Sequence, residues 1–257
     1  MYTDYITWGD CLNVMAVLPD NSIDCILCDL PYSITGFKWD SIIPFDKLWE
    51  QYIRIIKDNG AIVLNSIQPF TSKLILSNPE MYRYSYVWDK GRASNFMSAK
   101  VKPLIRTEDI CVFSKATANS MSSVKMKYYP QGLVRVDKKV KNGKNVGGQV
   151  AVAKQAVYTQ GKEYIQEFTN YPNNIIQIVN DSNPLHPTQK PIALCEYLIK
   201  TYTQEGEIVL DNCCGSGTTC LAAKNTGRHY IGIEKDENYF NIAKNRLEND
   251  YRNLLRY

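Results

Sequence analysis

The apolar run Ile23-Asp24-Cys25-Ile26-Leu27-Cys28 stops abruptly at Asp29-Leu30-Pro31-Tyr32. A run this short, bounded by turn residues, reads as a buried strand. The four residues after it place a carboxylate, a rigid proline and an aromatic ring where a strand ends and a loop begins. In open α/β sheets, ligands bind at that edge. Asp29 can accept a hydrogen bond from an amino group, the loop carbonyls can accept a second, and Tyr32 offers a face for stacking a planar base. The same residues also suit an ordinary acidic turn, because Asp and Pro are common turn formers.

The flanking sequence alternates between the two regular periods. Trp8-Gly9-Asp10-Cys11-Leu12 leads into a helical pattern (Leu12, Met15, Leu18) that Pro19-Asp20-Asn21 ends. Phe45, Leu48, Trp49, Tyr52, Ile53 and Ile56 predict a helix over 45–58, with Asn59-Gly60 as its stop signal. A strand over 61–64, a helix over 69–76 and strand-like stretches at 82–88 and 110–113 follow. This β-α-β-α-β order is that of a doubly wound sheet. From Thr117 to Asn180 the periodicity dissolves into Lys, Gln, Asn, Ser, Gly and Tyr. That length exceeds an ordinary loop, so it is read as a functional insert or a partly disordered segment.

Order returns at Asn183-Pro184-Leu185-His186-Pro187-Thr188-Gln189-Lys190-Pro191, and a helix runs to about Tyr202. A strand over 207–210 then enters Asp211-Asn212-Cys213-Cys214-Gly215-Ser216-Gly217-Thr218-Thr219, followed by a helix through Asn225. A strand over 230–233 ends at Glu234, and the last helix covers about 237–249. Gly215 and Gly217 let a backbone approach a ligand and turn into a helix. Glu234 closes the next strand, near the spacing at which an acid binds ribose hydroxyls. Cys220 stands where the third glycine of a dinucleotide-binding turn belongs. The stretch therefore suits a nucleoside-bearing ligand without pyrophosphate, with S-adenosylmethionine the obvious candidate; a packing turn is the bland alternative.

Composition narrows the class. The chain has 257 residues, 44% of them hydrophobic. No stretch approaches a membrane span, and the start Met1-Tyr2-Thr3-Asp4 lacks a signal-peptide pattern, so a cytoplasmic location is expected. Eight cysteines accompany only two histidines, His186 and His229. Cys25 and Cys28 sit three apart on a strand and point to opposite faces, so no metal site is expected. The net charge is +4, but ten basic residues stand against four acidic ones between Lys115 and Ser182. A basic insert suggests a polyanion partner, while a solvated lysine-rich loop explains the same charge.

Taken together, these residues resemble the amino-group DNA methyltransferases in their circularly permuted, beta-class order. Asp29-Leu30-Pro31-Tyr32 stands for that family's catalytic loop. The basic stretch 115–182 stands for its target-recognition region. His186-Pro187-Thr188-Gln189-Lys190-Pro191, with 211–219, stands for its cofactor half. The resemblance implies an α/β, doubly wound, Rossmann-like fold with a catalytic half over 1–114, the insert over 115–182 and a cofactor half over 183–257. Leu30 replaces the usual first proline, Ser33 a frequent glycine, and Cys213 a frequent phenylalanine.

The resemblance also assigns roles. Asp29 and a neighbouring main-chain carbonyl of the Leu30-Pro31 turn would hold the exocyclic amine of a flipped base, and Tyr32 would stack on it. Glu234 would bind ribose hydroxyls. Asp211, Cys213, Gly215, Ser216, Gly217, Thr218 and Thr219 would surround the methionine part of S-adenosylmethionine. Thr188 and Lys190 would hold its carboxylate, with His186 on the cofactor wall and Asp10 facing the adenine. Trp39 either clamps the base or packs, and Lys138, Lys139, Lys141 and Lys144 would contact DNA. The implied activity is methylation of adenine N6 in a short sequence of double-stranded DNA. Alternatives are cytosine N4, a glutamine amide or RNA base, and an inactive DNA-binding relative. A homodimer and a partner endonuclease are both compatible with the resemblance, and the sequence specifies neither.

Overall fold

The computed structural model describes residues 3–33, 41–141, 163–180 and 189–249. The chain divides into two compact units, Met1–Tyr129 with Asn174–Tyr257, and Pro130–Asn173.

The first unit is built on an eight-stranded sheet of order β1-β10-β9-β2-β3-β5-β4-β8. Its strands are β1 (Tyr5–Trp8), β2 (Ile23–Asp29), β3 (Ile56–Ser66), β4 (Tyr82–Ser94), β5 (Ile105–Phe113), β8 (Ile175–Gln177), β9 (Ile208–Asp211) and β10 (His229–Glu234). The first five in sheet order are parallel, while β5 runs antiparallel to both β3 and β4. Residues 23–28 of β2 are all buried, as a central strand of a parallel sheet requires.

Alternation along the strands sorts the core into two layers. Cys25, Leu27, Ala61, Val63 and Val209 face α4 (Ile192–Tyr202) and α5 (Thr218–Asn225), through Leu194, Leu198, Leu221 and Ala222. Ile26, Cys28, Ile62, Leu64, Leu210 and Ile231 face α1 (Cys11–Ala16), α2 (Phe45–Ile55) and α3 (Phe70–Ser77), through Met15, Leu48, Tyr52 and Leu74. Cys25 and Cys28 thus pack on opposite faces. A further helix, α6 (Glu237–Glu248), adds Leu247 to the α4–α5 side.

Asp24 is a buried carboxylate inside this apolar strand, where an unpaired charge would be costly. Its oxygens accept from Lys57 at 2.8 Å, from Lys127 at 2.7 Å and from the Ile208 N–H at 3.1 Å. Burial works to raise its carboxyl, but the two lysines outweigh it and hold it below its ordinary value.

Two expectations are corrected here. The helix expected to reach residue 58 ends at Ile55, and β3 begins at Ile56. Gly60 is no helix stop: a Cβ there would lie 2.8 Å from the Asp24 carbonyl, so glycine allows β3 to pass close to β2. The compact second unit is also narrower than 115–182. Ala116 and Met126 are buried in the body core. Lys115 is tied to the Ile56 carbonyl and Asp58, and Lys127 to Asp24 and Glu207, which removes both from the basic surface.

The second unit holds a two-stranded antiparallel ribbon of β6 (Val134–Lys141) and β7 (Glu163–Thr169). Its β6 residues are exposed except for a half-buried Val140, and Lys139 pairs with Glu163 at 2.6 Å. Among the described residues no helix is long and apolar enough to cross a membrane.

Candidate active site

Five parallel strands end on one edge of the sheet, and the polar residues cluster there. Asp10 follows β1, Glu234 ends β10, Asp211 ends β9, Asp29 ends β2 and Asn65 lies at the end of β3. The β9-α5-β10 crossover runs to one side of the β9–β2 junction and the β2-α2-β3 crossover to the other. That divergence makes a switch point, where an open sheet leaves a crevice. A cavity of about 360 Å³ occupies it, within the range of small-molecule sites.

One end of the cavity is a buried charge network. Asp29 Oδ2 accepts from Lys190 Nζ at 2.7 Å, and the Tyr32 hydroxyl donates to Asp29 Oδ1. Lys190 also lies 3.3 Å from Glu108 Oε2, while Glu108 Oε1 accepts from Lys90 at 3.0 Å. Both lysines are buried. Two cations alternating with two carboxylates keep the cluster neutral, the condition under which buried charges are tolerated. Burial alone would discharge Lys190, yet Asp29 and Glu108 hold its ammonium above the ordinary value. Burial, reinforced by the Asp29 charge, keeps Tyr32 protonated well above the usual tyrosine range, so it is a donor.

The other end is shaped by backbone donors. Glu234 Oε2 accepts from the Gly215 N–H at 2.8 Å and Oε1 from the Asp236 N–H at 2.7 Å. These bonds aim the acid across the mouth of the glycine turn. Gly215 has φ +52°, and a Cβ there would meet nothing within 4 Å, so the turn leaves open space beside Glu234. Asp211 is buried and accepts from the Cys213 N–H at 3.1 Å. Burial pushes its carboxyl up to about 6. Asp10 caps α1 by accepting from the Leu12 N–H at 3.0 Å and pairs with Lys235 at 3.3 Å. Ser216 donates to Gln189 at 3.1 Å, joining the turn to the segment before α4.

Asp10, Asp29, Leu30, Pro31, Tyr32, Lys190, Asp211, Cys213, Gly215, Ser216, Thr218, Thr219 and Glu234 all line this one cavity. Gly217 does not. Its φ is +77° and a Cβ would come within 3.0 Å of Ala243, so glycine there lets α6 seat closely. The Tyr32 ring makes a tilted contact with Phe70, 4.9 Å between centroids, and Lys190 Nζ lies 5.9 Å from the Tyr32 centroid. Lys190, expected at a ligand carboxylate, is bound to Asp29 instead. Trp39, Lys144, His186 and Thr188 lie outside the described residues. Asn65, Glu108, Lys90 and Gln189 also belong to this site or its charge network, beyond the residues expected from the sequence. Asn65 had a usable signal, since it directly follows the strand read at 61–64; Lys90 and Glu108 had none.

The family model for N6- and N4-type methyltransferases, described as DNA methylase, matches residues 23–245. The chain is 25% identical over 265 residues to the type II methyltransferase M2.DpnII of Streptococcus pneumoniae, covering 93% of this chain and 88% of that protein. Among solved structures, the M1.HpyAVI–SAM complex superposes with a TM-score of 0.61 at 24% identity, covering 94% of this chain and 98% of that one. The cytosine-N4-specific PvuII DNA methyltransferase gives 0.65 at 16% identity, covering 96% and 86%. The chain therefore belongs to the DNA methylase family of N6- and N4-amino methyltransferases.

Proposed function

We propose that this chain transfers a methyl group from S-adenosylmethionine to the N6 amine of adenine in double-stranded DNA. The observation that carries the reading is the shared cavity, which Asp29, Asp211 and Glu234 all line. S-adenosylmethionine supplies an electrophilic methyl on a sulfonium and carries a net positive charge. The site fits such a ligand, with two carboxylates and an open turn at Gly215. In this reading Glu234 takes the ribose hydroxyls, Asp211 faces the cationic methionine part, and Asp10 faces the adenine.

The amine lone pair of adenine is conjugated into the ring and is a poor nucleophile. Asp29, helped by a carbonyl of the loop at Leu30, accepts the amine hydrogens and favours a pyramidal nitrogen whose lone pair points at the methyl. Acceptors fixed in advance act on the charge that develops during transfer, and a common cavity supplies the proximity. In the structure both Asp29 oxygens are already engaged by Tyr32 and Lys190. An entering base therefore displaces the Tyr32 hydroxyl, which frees that ring to stack on it. The base reaches the site by flipping out of the duplex. The unit Pro130–Asn173 is read as the target-recognition region, with Lys138, Lys139 and Lys141 on phosphates.

Asp at position 29 is the adenine-type residue within the family resemblance, which is the reason for preferring adenine. Cytosine N4 offers the same two-hydrogen amine, so the same acceptors would serve it. Incubating DNA with the protein and labelled S-adenosylmethionine, then identifying methylated nucleosides by mass, tests the reading. N6-methyladenine is expected; N4-methylcytosine would transfer the mechanism to the other base, and no label would remove it.

A further inference from the structure

Asn65 is 3% exposed and lines the cavity, yet its side-chain oxygen has no hydrogen-bond partner. Its amide Nδ2 faces the Cys28 carbonyl at 3.5 Å, which leaves Oδ1 as the end turned away from it. Asn65 is the Cα partner of Asp29 in the parallel β2–β3 pairing. Residues paired this way project to the same face of a sheet, roughly 4.8 Å apart across the strands. The Asn65 side chain therefore lies on the same face of the sheet as Asp29, one strand away.

Its neighbours do not explain it. Each Asp29 oxygen already accepts one hydrogen bond, from Tyr32 and from Lys190. Among the described residues, the other buried side-chain acceptor without a hydrogen-bond partner is Glu108 Oε2, and it lies 3.3 Å from the Lys190 ammonium. Asn65 Oδ1 has no such compensating charge. A buried acceptor left unpaired costs stability, and at an active site it points to a donor that arrives with the ligand.

We infer that Asn65 Oδ1 accepts one of the two hydrogens of the amine being methylated, sharing with the loop carbonyl the hydrogen that Asp29 does not take. The chemistry of the base supports this. On adenine joined to its sugar, the exocyclic amine carries the only N–H groups, and a neutral carbonyl oxygen can pair with nothing else on the ring edge. The inference rests on the amine-methylation reading above.

The test uses Asn65→Leu, which keeps the branched four-atom outline of the side chain and removes the acceptor, with Asn65→Ala as the second variant. Transfer of labelled methyl to DNA, S-adenosylmethionine affinity by calorimetry and Tm are measured for each. The contact tightens in the transition state, so kcat should fall about 10- to 100-fold. KM for DNA and the cofactor Kd should stay within about twofold. Tm should be equal or higher for Asn65→Leu, because an unpaired buried polar atom is gone. A folded variant with wild-type kcat would overturn the inference. So would a loss of kcat matched by lost cofactor binding, or failure of both variants to fold, which would make Asn65 structural. If the wild type itself transfers no methyl, the functional reading fails first; wild-type transfer with an indifferent Asn65 removes only this inference.

Discussion

Lys190 Nζ stands 2.7 Å from Asp29 Oδ2, across 161 residues of sequence. This ion pair ties the segment leading into α4 to the end of β2. Lys190 and Asp29 thereby join the two halves of the chain at the point where the reaction is proposed to occur.

The network behind that pair makes stability depend on acidity. Burial alone would raise the Glu108 carboxyl, but Lys190 and Lys90 outweigh it and hold it below its ordinary value. A carboxyl depressed on folding stabilises the protein above its unfolded value and loses that contribution as pH falls through the folded one. Tm of the wild type should therefore fall below the ordinary glutamate range, near about 4.3, and Glu108→Gln should flatten that fall. At neutral pH the same variant should lose about 3 kcal/mol, because it leaves two buried lysines with one carboxylate. A variant with unchanged Tm and unchanged acid response would show the network to be energetically idle.

Cofactor binding should depend on Asp211. Burial places its carboxyl at about 6, so it is largely neutral at pH 5 and ionised above 7. The ionised form attracts a cationic ligand. The Kd for S-adenosylmethionine should therefore weaken about tenfold as pH falls from 7 to 5. Asp211→Asn should bind weakly at every pH and show no such midpoint. Calorimetry across this range checks it, and a flat wild-type profile would detach Asp211 from the ligand.

The exposed β6 ribbon carries the proposed DNA contact. The surface pair of Lys139 with Glu163 is worth little in water and can be exchanged for a phosphate. Reversing Lys138 and Lys139 to Glu should weaken DNA binding and reduce the slope of log K against log salt by about 2. An unchanged slope would move the DNA surface to another face.

Much of this is legible in the sequence, for local reasons. Asp29 and Glu234 each end an apolar run, and the edge of an α/β sheet is where such residues meet. Asn59-Gly60 misled because glycine stops helices and also permits close strand passage, and only the Asp24 carbonyl beside it shows which applies. The four residues of β1 went unread, being short and partly exposed. Lys127 looked like part of a basic surface because its partner Asp24 is 103 residues away. The pairing of Lys190 with Asp29 is likewise set by the packing of distant segments, and no spacing in the sequence encodes it. The direction of the Tyr32 ring depends on Phe70 in the same way.

In the proposed reaction Asp29 acts on the amine while other residues of the same cavity hold the cofactor. Asp29→Ala, assayed for labelled-methyl transfer to DNA and for S-adenosylmethionine binding in the same preparation, separates the two. Transfer should vanish while the cofactor Kd stays within about threefold of wild type, since losing one transition-state contact need not weaken ground-state binding. Transfer at the wild-type rate by that variant would contradict the mechanism.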